Sequence, residues 1–190
     1  MTPNVSLSDR LRQALAASAS GDTDTALQLF RHAVDEEPES PLPPFLLGAE
    51  LAQLGRINEA IQAYAAATLL APTFHMARYQ LGLLQFTSGH AALALVSWQP
   101  LFLLPATEPL RAFVHGFAAL ANDQFPEALT HFRAGQAMNT ENVPLNGDIQ
   151  LVIDRIEALK QTAQATREVD TANEDASHVL LSNYRSGPMH

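Results

Sequence analysis

Apolar residues recur along this chain in short blocks at helical spacing, each block ended by glycine, proline or a polar turn. Leu11, Leu15 and Ala19 share one face of the first block, and Ala26, Leu27, Phe30, Ala33 and Val34 share one face of the second. Ser8 is placed to cap the first helix and Gly21 to end it. Asp22 or Thr23 caps the second, and Pro38 stops it. The same order follows at once. Pro43 and Pro44 suit the first turn of a third helix, and Gly55 breaks it. Asn58 is placed to cap a fourth, whose inward face is Ala60, Ile61, Tyr64, Ala65 and Thr68.

These blocks repeat at a fixed period of 34 positions. The small residue Gly48 recurs as Ala14, Gly82 and Gly116, and Ala60 recurs as Ala26, Ala94 and Ala128. The ring of Tyr64 recurs as Phe30, Trp98 and Phe132. Gly55 recurs as Gly21 and Gly89 and gives way to Asp123. Pro72 matches Pro38 and is lost at Ala106 and Thr140. Such a period predicts an all-α solenoid of four helix-turn-helix units, 7–40, 41–74, 75–108 and 109–142. The small residues imply two helices crossing closely, and the ring is expected to fill the gap towards the next unit.

Units three and four depart from the pattern. Pro100 falls inside a helix, so a break is expected near Trp98–Pro100. The run Leu101 to Leu104 reads as deeper core in preference to a ligand pocket. Unit four has His115 where the others have Leu47 or Leu81, and Gly135 where others have Ala33 or Ala67. Beyond Pro144, Ile149, Val152, Ile153, Ile156 and Leu159 share a helical face, with Asp154, Arg155, Glu157 and Lys160 mostly opposite. The span 145–167 is read as a helix covering the open end of the stack, so the solenoid occupies 1–167. A tail, 168–190, starts acidic and then carries Val179, Leu180, Leu181 and Tyr184.

Composition narrows the function. The 190 residues hold no cysteine, which excludes disulfides and thiolate metal sites, and no long apolar run. A net charge of −9 repels phosphate backbones and anionic lipid, so neither nucleic acid nor membrane is an expected partner. Met1 to Arg12 lacks the apolar core of a secretory signal, which points to the cytoplasm. No His-x-x-x-His, Glu-x-x-His, Gly-x-Ser-x-Gly or phosphate-binding glycine loop occurs. The histidines are expected not to cluster, His115 is expected to be a packing residue, and no enzyme, metal or cofactor is expected.

Leu47, Gly48, Leu51, Gly55, Ala60, Tyr64, Ala67 and Pro72 together resemble the tetratricopeptide repeat (TPR) family over about 7–142, although Pro44 stands where the family favours Trp. The resemblance implies a right-handed superhelix that binds a peptide or partner protein in a concave groove lined by the first helix of each unit. Carried over residue by residue, the groove columns are Leu11, Phe45, Tyr79 and Phe113, then Leu15, Ala49, Leu83 and Phe117, then Ala52, Phe86 and Leu120. That wall is apolar and aromatic, so the expected partner is a protein or peptide with apolar anchors. The competing assignment makes Phe45, Tyr79 and Phe113 core between neighbouring first helices. The carboxylate clamp of family members that hold chaperone tails is absent, since the matching positions are Leu11, Leu15, Met76 and Gln80. Size, charge and groove polarity are similar to TPR chaperones of secretion translocators, without their extra amino-terminal helix. Self-association as an assembly subunit is the other alternative, with Val179, Leu180, Leu181 and Tyr184 as a segment able to dock in the groove of the same or another chain.

Overall fold

The computed structural model describes residues 7–162. Eight helices are arranged as four hairpins: α1 (Asp9–Ala19) with α2 (Thr23–Glu36), α3 (Leu42–Gln53) with α4 (Ile57–Leu70), α5 (His75–Thr87) with α6 (Ala91–Phe102), and α7 (Pro109–Leu120) with α8 (Phe125–Met138). A ninth, α9, opens at 143 and is described as far as 162. No strand occurs among the described residues. Each helix packs mainly on its hairpin partner and on the next hairpin. The architecture is an all-α solenoid.

The four hairpin turns are built alike. A residue at positive φ follows each first helix: Gly21 at 77°, Gly55 at 70°, Gly89 at 83° and Asp123 at 57°. Its N–H, and that of the residue after it, reach back to close the helix end. Arg56 N donates to Leu51 O at 2.9 Å and Gly55 N to Ala52 O at 3.0 Å. The same pair recurs as His90 to Gln85 with Gly89 to Phe86, and as Gln124 to Ala119 with Asp123 to Leu120. This closure satisfies the helix's orphan carbonyls. Glycine adopts it without strain, so the fourth turn keeps the geometry of the other three while holding a side chain in a costly region.

Within a hairpin the small residue and the ring meet. A methyl group added to Gly48 would lie 2.9 Å from Tyr64 Cδ1, one on Gly82 2.2 Å from Trp98 Nε1, and one on Gly116 2.6 Å from Phe132 Cδ1. The ring therefore fills the gap inside its own hairpin, and does not simply bridge to the next unit as expected. Unit four adds the reciprocal contact: a methyl on Gly135 would lie 2.4 Å from Phe113 Cε1. Ala26, Ala60, Ala94 and Ala128 are all fully buried.

Four local expectations need correction, the first being Ala65, expected on the inward face of α4 but exposed. Pro100 does not break α6 at Trp98–Pro100; the helix continues to Phe102. The proline sits in the last turn, so the one bond it cannot donate falls where the helix is already ending, and α6 is two residues shorter than α4. Leu101 to Leu104 is not uniformly core, because Leu101 is sealed while Leu103 is 86% exposed. Asn58 does not cap α4. The cap position is Arg56, which makes no side-chain cap bond, and its guanidinium instead reaches Glu59 across the first turn at 2.6 Å.

The core is strung along the stack rather than concentrated. One cluster joins α1 to α3, a second joins α2 to α4, and the largest runs from α5 through α9. In α9, Leu145, Ile149, Ile153 and Ile156 are buried, while Leu159 of the expected face is half exposed. A polar joint ties α9 to α8: Asn139 Nδ2 donates to Asn146 Oδ1 at 2.9 Å, and Asn146 Nδ2 donates back to Asn139 O at 2.9 Å. At the other end Ser18 Oγ donates to the buried carboxylate of Glu50 at 2.6 Å, joining the first two hairpins.

Candidate interaction surface

Successive hairpins meet mainly through a second helix and the next first helix, and two of the first helices also touch. α5 meets α7 directly, whereas no two second helices pack together to that extent. Curvature towards that contact is the arrangement the repeat resemblance implies, with α1, α3, α5 and α7 on the inner side.

The eleven residues expected on that wall divide by burial, with Ala52 half-buried. Leu11, Tyr79, Phe113 and Phe117 are sealed in the core. Phe45, Ala49, Leu83, Phe86 and Leu120 are half-buried, and Leu15 is exposed. A sealed side chain presents no area to a partner, so Tyr79 and Phe113 follow the core assignment. The reason is ring packing. Tyr79 lies 6.3 Å from Trp98, 6.4 Å from Phe113 and 6.5 Å from Phe117, centroid to centroid. Phe113 sinks inward because Gly135 leaves room for it. Phe45 leans on Tyr64 at 5.6 Å and Phe74 at 4.7 Å, and keeps part of its surface outside. Val179, Leu180, Leu181 and Tyr184 lie outside the described residues.

Polar groups inside this wall are few. Trp98 Nε1 donates to Tyr79 O at 3.0 Å. The Tyr79 hydroxyl is buried with no hydrogen-bond partner. Its burial, reinforced by the Asp148 carboxylate, pushes the phenol well above its ordinary range, so it stays protonated. Tyr64 is likewise pushed up by burial, to about 12.

One side-chain cluster departs from the sequence reading. His115 stacks on His131 at 5.2 Å and meets the Phe102 ring edge at 5.0 Å, and His131 Nε2 lies 3.9 Å from Glu127 Oε1. Burial holds the His115 imidazole below its ordinary pKa. His131 and Arg111 act in the same direction, and Glu127 opposes them. The signal was present: Gly48 and Tyr64, Gly82 and Trp98, and Gly116 and Phe132 are each 16 positions apart, as are His115 and His131. No group of three metal-ligating side chains occurs among the described residues, and no helix there is long and apolar enough to cross a membrane.

Comparison with known proteins places this architecture. Residues 17–85 match the model of the tetratricopeptide repeat, from the end of α1 through most of α5. The solenoid resembles MamA residues 41–end from Desulfovibrio magneticus RS-1, with TM-score 0.57 and 17% identity over 88% of this chain and 98% of that one. It resembles YrrB, "a TPR protein with an unusual peptide-binding site", with TM-score 0.56 and 18% identity over 80% of this chain and 76% of that one. In sequence, 71 residues are 41% identical to the peroxisomal targeting signal receptor of Eremothecium gossypii. That match covers 37% of this chain and 12% of the receptor, so the chain spans only a small part of that relative. Over residues 17–85 the chain matches the tetratricopeptide repeat, and its stack of hairpins has the fold of proteins built from that repeat, which in the family is a non-catalytic protein-interaction module.

Proposed function

We propose that the chain is a scaffold whose inner wall takes an apolar segment of a partner protein. The observation that carries this reading is the line of part-exposed apolar side chains on successive first helices: Leu15, Phe45 and Ala49, Leu83 and Phe86, and Leu120. The sealed residues Leu11, Tyr79, Phe113 and Phe117 form the rigid floor beneath them. Each anchor that a partner buries contributes about 1.5–3 kcal/mol before association costs, so two or three anchors suit micromolar affinity. The peptide site named for YrrB and the match to a targeting-signal receptor are in keeping with a peptide-like partner.

Selection from a displayed peptide library tests the reading. Enriched peptides carry spaced apolar anchors, bind the intact chain, and lose about tenfold in affinity against Leu83→Ser. Enrichment of peptides that bind Leu83→Ser undiminished counts against it. Val179, Leu180, Leu181 and Tyr184 are a competing occupant in this reading, and removing 170–190 raises the affinity of the selected peptide.

A further inference from the structure

Away from the inner wall, the ends of two second helices enclose a cleft of about 480 Å³. Its apolar lining is Val34, Pro38, Pro44, Ala66, Leu69 and Leu70. Leu69 is 82% exposed and Leu70 41%, so this surface is open and unusually apolar for the outside of a hairpin. Its charged lining is all of one sign, Asp35 and Glu37. Both helices that end here, α2 and α4, carry no basic residue in their last turns. Their carbonyl ends therefore add uncompensated negative potential to that of the carboxylates. Arg10 is paired with Glu36, next to the rim in sequence, and Arg31 with Glu59.

An aliphatic floor with an anionic rim selects one chemistry. We infer that this cleft is a second docking site, distinct from the inner wall, for a peptide segment in which one or two large apolar side chains are flanked by lysine or arginine. The apolar side chain covers Leu69 and Leu70, and the flanking cations face Asp35, Glu37 and the two helix ends. An acidic segment of equal hydrophobicity is repelled by the same rim. A second copy of this chain is a poor occupant, since each copy carries a net charge of −9.

Fluorescence anisotropy with the full chain tests this, using labelled Lys-Lys-Leu-Phe-Lys-Lys and its twin Glu-Glu-Leu-Phe-Glu-Glu. The lysine peptide binds at least about tenfold more tightly than the glutamate twin, and its affinity falls as salt is raised. Leu69→Ser weakens it, as does the pair Asp35→Asn and Glu37→Gln. Leu83→Ser on the inner wall and Leu103→Ser outside the cleft leave it unchanged. All these positions are at least partly exposed, and circular dichroism confirms that each variant folds. Equal binding of the two peptides overturns the inference, as does indifference to Leu69→Ser. Loss of binding in Leu83→Ser assigns the peptide to the inner wall and equally overturns it, while leaving the reading of that wall standing.

Discussion

Replacing Gly82 by alanine tests the small-against-ring packing that sets the spacing inside each hairpin. The added methyl would lie 2.2 Å from Trp98 Nε1, 2.4 Å from Cε2 and 2.7 Å from Cδ1, so the indole has to move. Trp98 is sealed among Tyr79, Phe86 and Phe117, and its Nε1 donates to Tyr79 O. Displacement therefore overpacks the core, at about 1–3 kcal/mol. It also strands a buried donor, at about 1–3 kcal/mol. Alanine returns about 1 kcal/mol of helix propensity, leaving a net loss of about 3 kcal/mol. Gly48→Ala is the internal control. Its methyl would lie 2.9 Å from the nearest Tyr64 ring atom, so a mild clash is offset by propensity and the net effect is close to zero. Trp98 is the single tryptophan, so its fluorescence and the helical circular dichroism report the same site and the whole stack. In urea and thermal melts Gly82→Ala lowers Tm by about 10 °C, and Gly48→Ala leaves it nearly unchanged. Gly82→Ala at or above wild-type stability, or equal losses in both variants, would refute the reasoning.

Other substitutions probe other contacts in the same melts. Asp123→Gly relieves the strained fourth turn and raises stability by up to about 1 kcal/mol; a loss there would mean that the Asp123 side chain supports the turn. Ala60→Leu forces a large side chain into a fully buried contact and costs about 1–3 kcal/mol, with a lower urea midpoint. Ser18→Ala removes the donor to the buried Glu50 carboxylate and costs about 1–3 kcal/mol, again read from the urea midpoint. His115 has a folded pKa below its ordinary 6.5, so the unfolded chain takes up that proton more readily. Its penalty is absent well above pH 6.5, grows as the pH falls below that value, and levels off beneath the folded pKa. His115→Leu, which copies Leu47 and Leu81, therefore flattens the fall in Tm between neutral and mildly acidic pH. An unchanged slope would remove His115 as its source.

The architecture was legible because its determinants are local and repeated. Gly21, Gly55 and Gly89 end helices through backbone geometry alone, and Ala26, Ala60, Ala94 and Ala128 mark the same crossing four times. The burial of individual wall residues was not legible. Leu11, Phe45, Tyr79 and Phe113 occupy one repeat position, yet three are sealed and Phe45 is not. What separates them is the neighbour, such as Gly135 beneath Phe113 or Phe74 beside Phe45, and a repeat alignment treats those neighbours as equivalent. The His115–His131 stack escaped notice because ligand-spacing rules look within one helix, while this contact crosses a hairpin. The cleft at Leu69 and Leu70 escaped because it lies where α2, α3 and α4 meet and follows no single periodicity.

Amide hydrogen exchange on the full chain, with and without a saturating library-selected peptide, reads out where a partner sits. A partner held on the inner wall concentrates protection in α3, α5 and α7, around Phe45, Leu83, Phe86 and Leu120, and that protection disappears in Leu83→Ser. Protection confined to the second helices α2, α4, α6 and α8, with the first helices unchanged, would contradict binding at the inner wall.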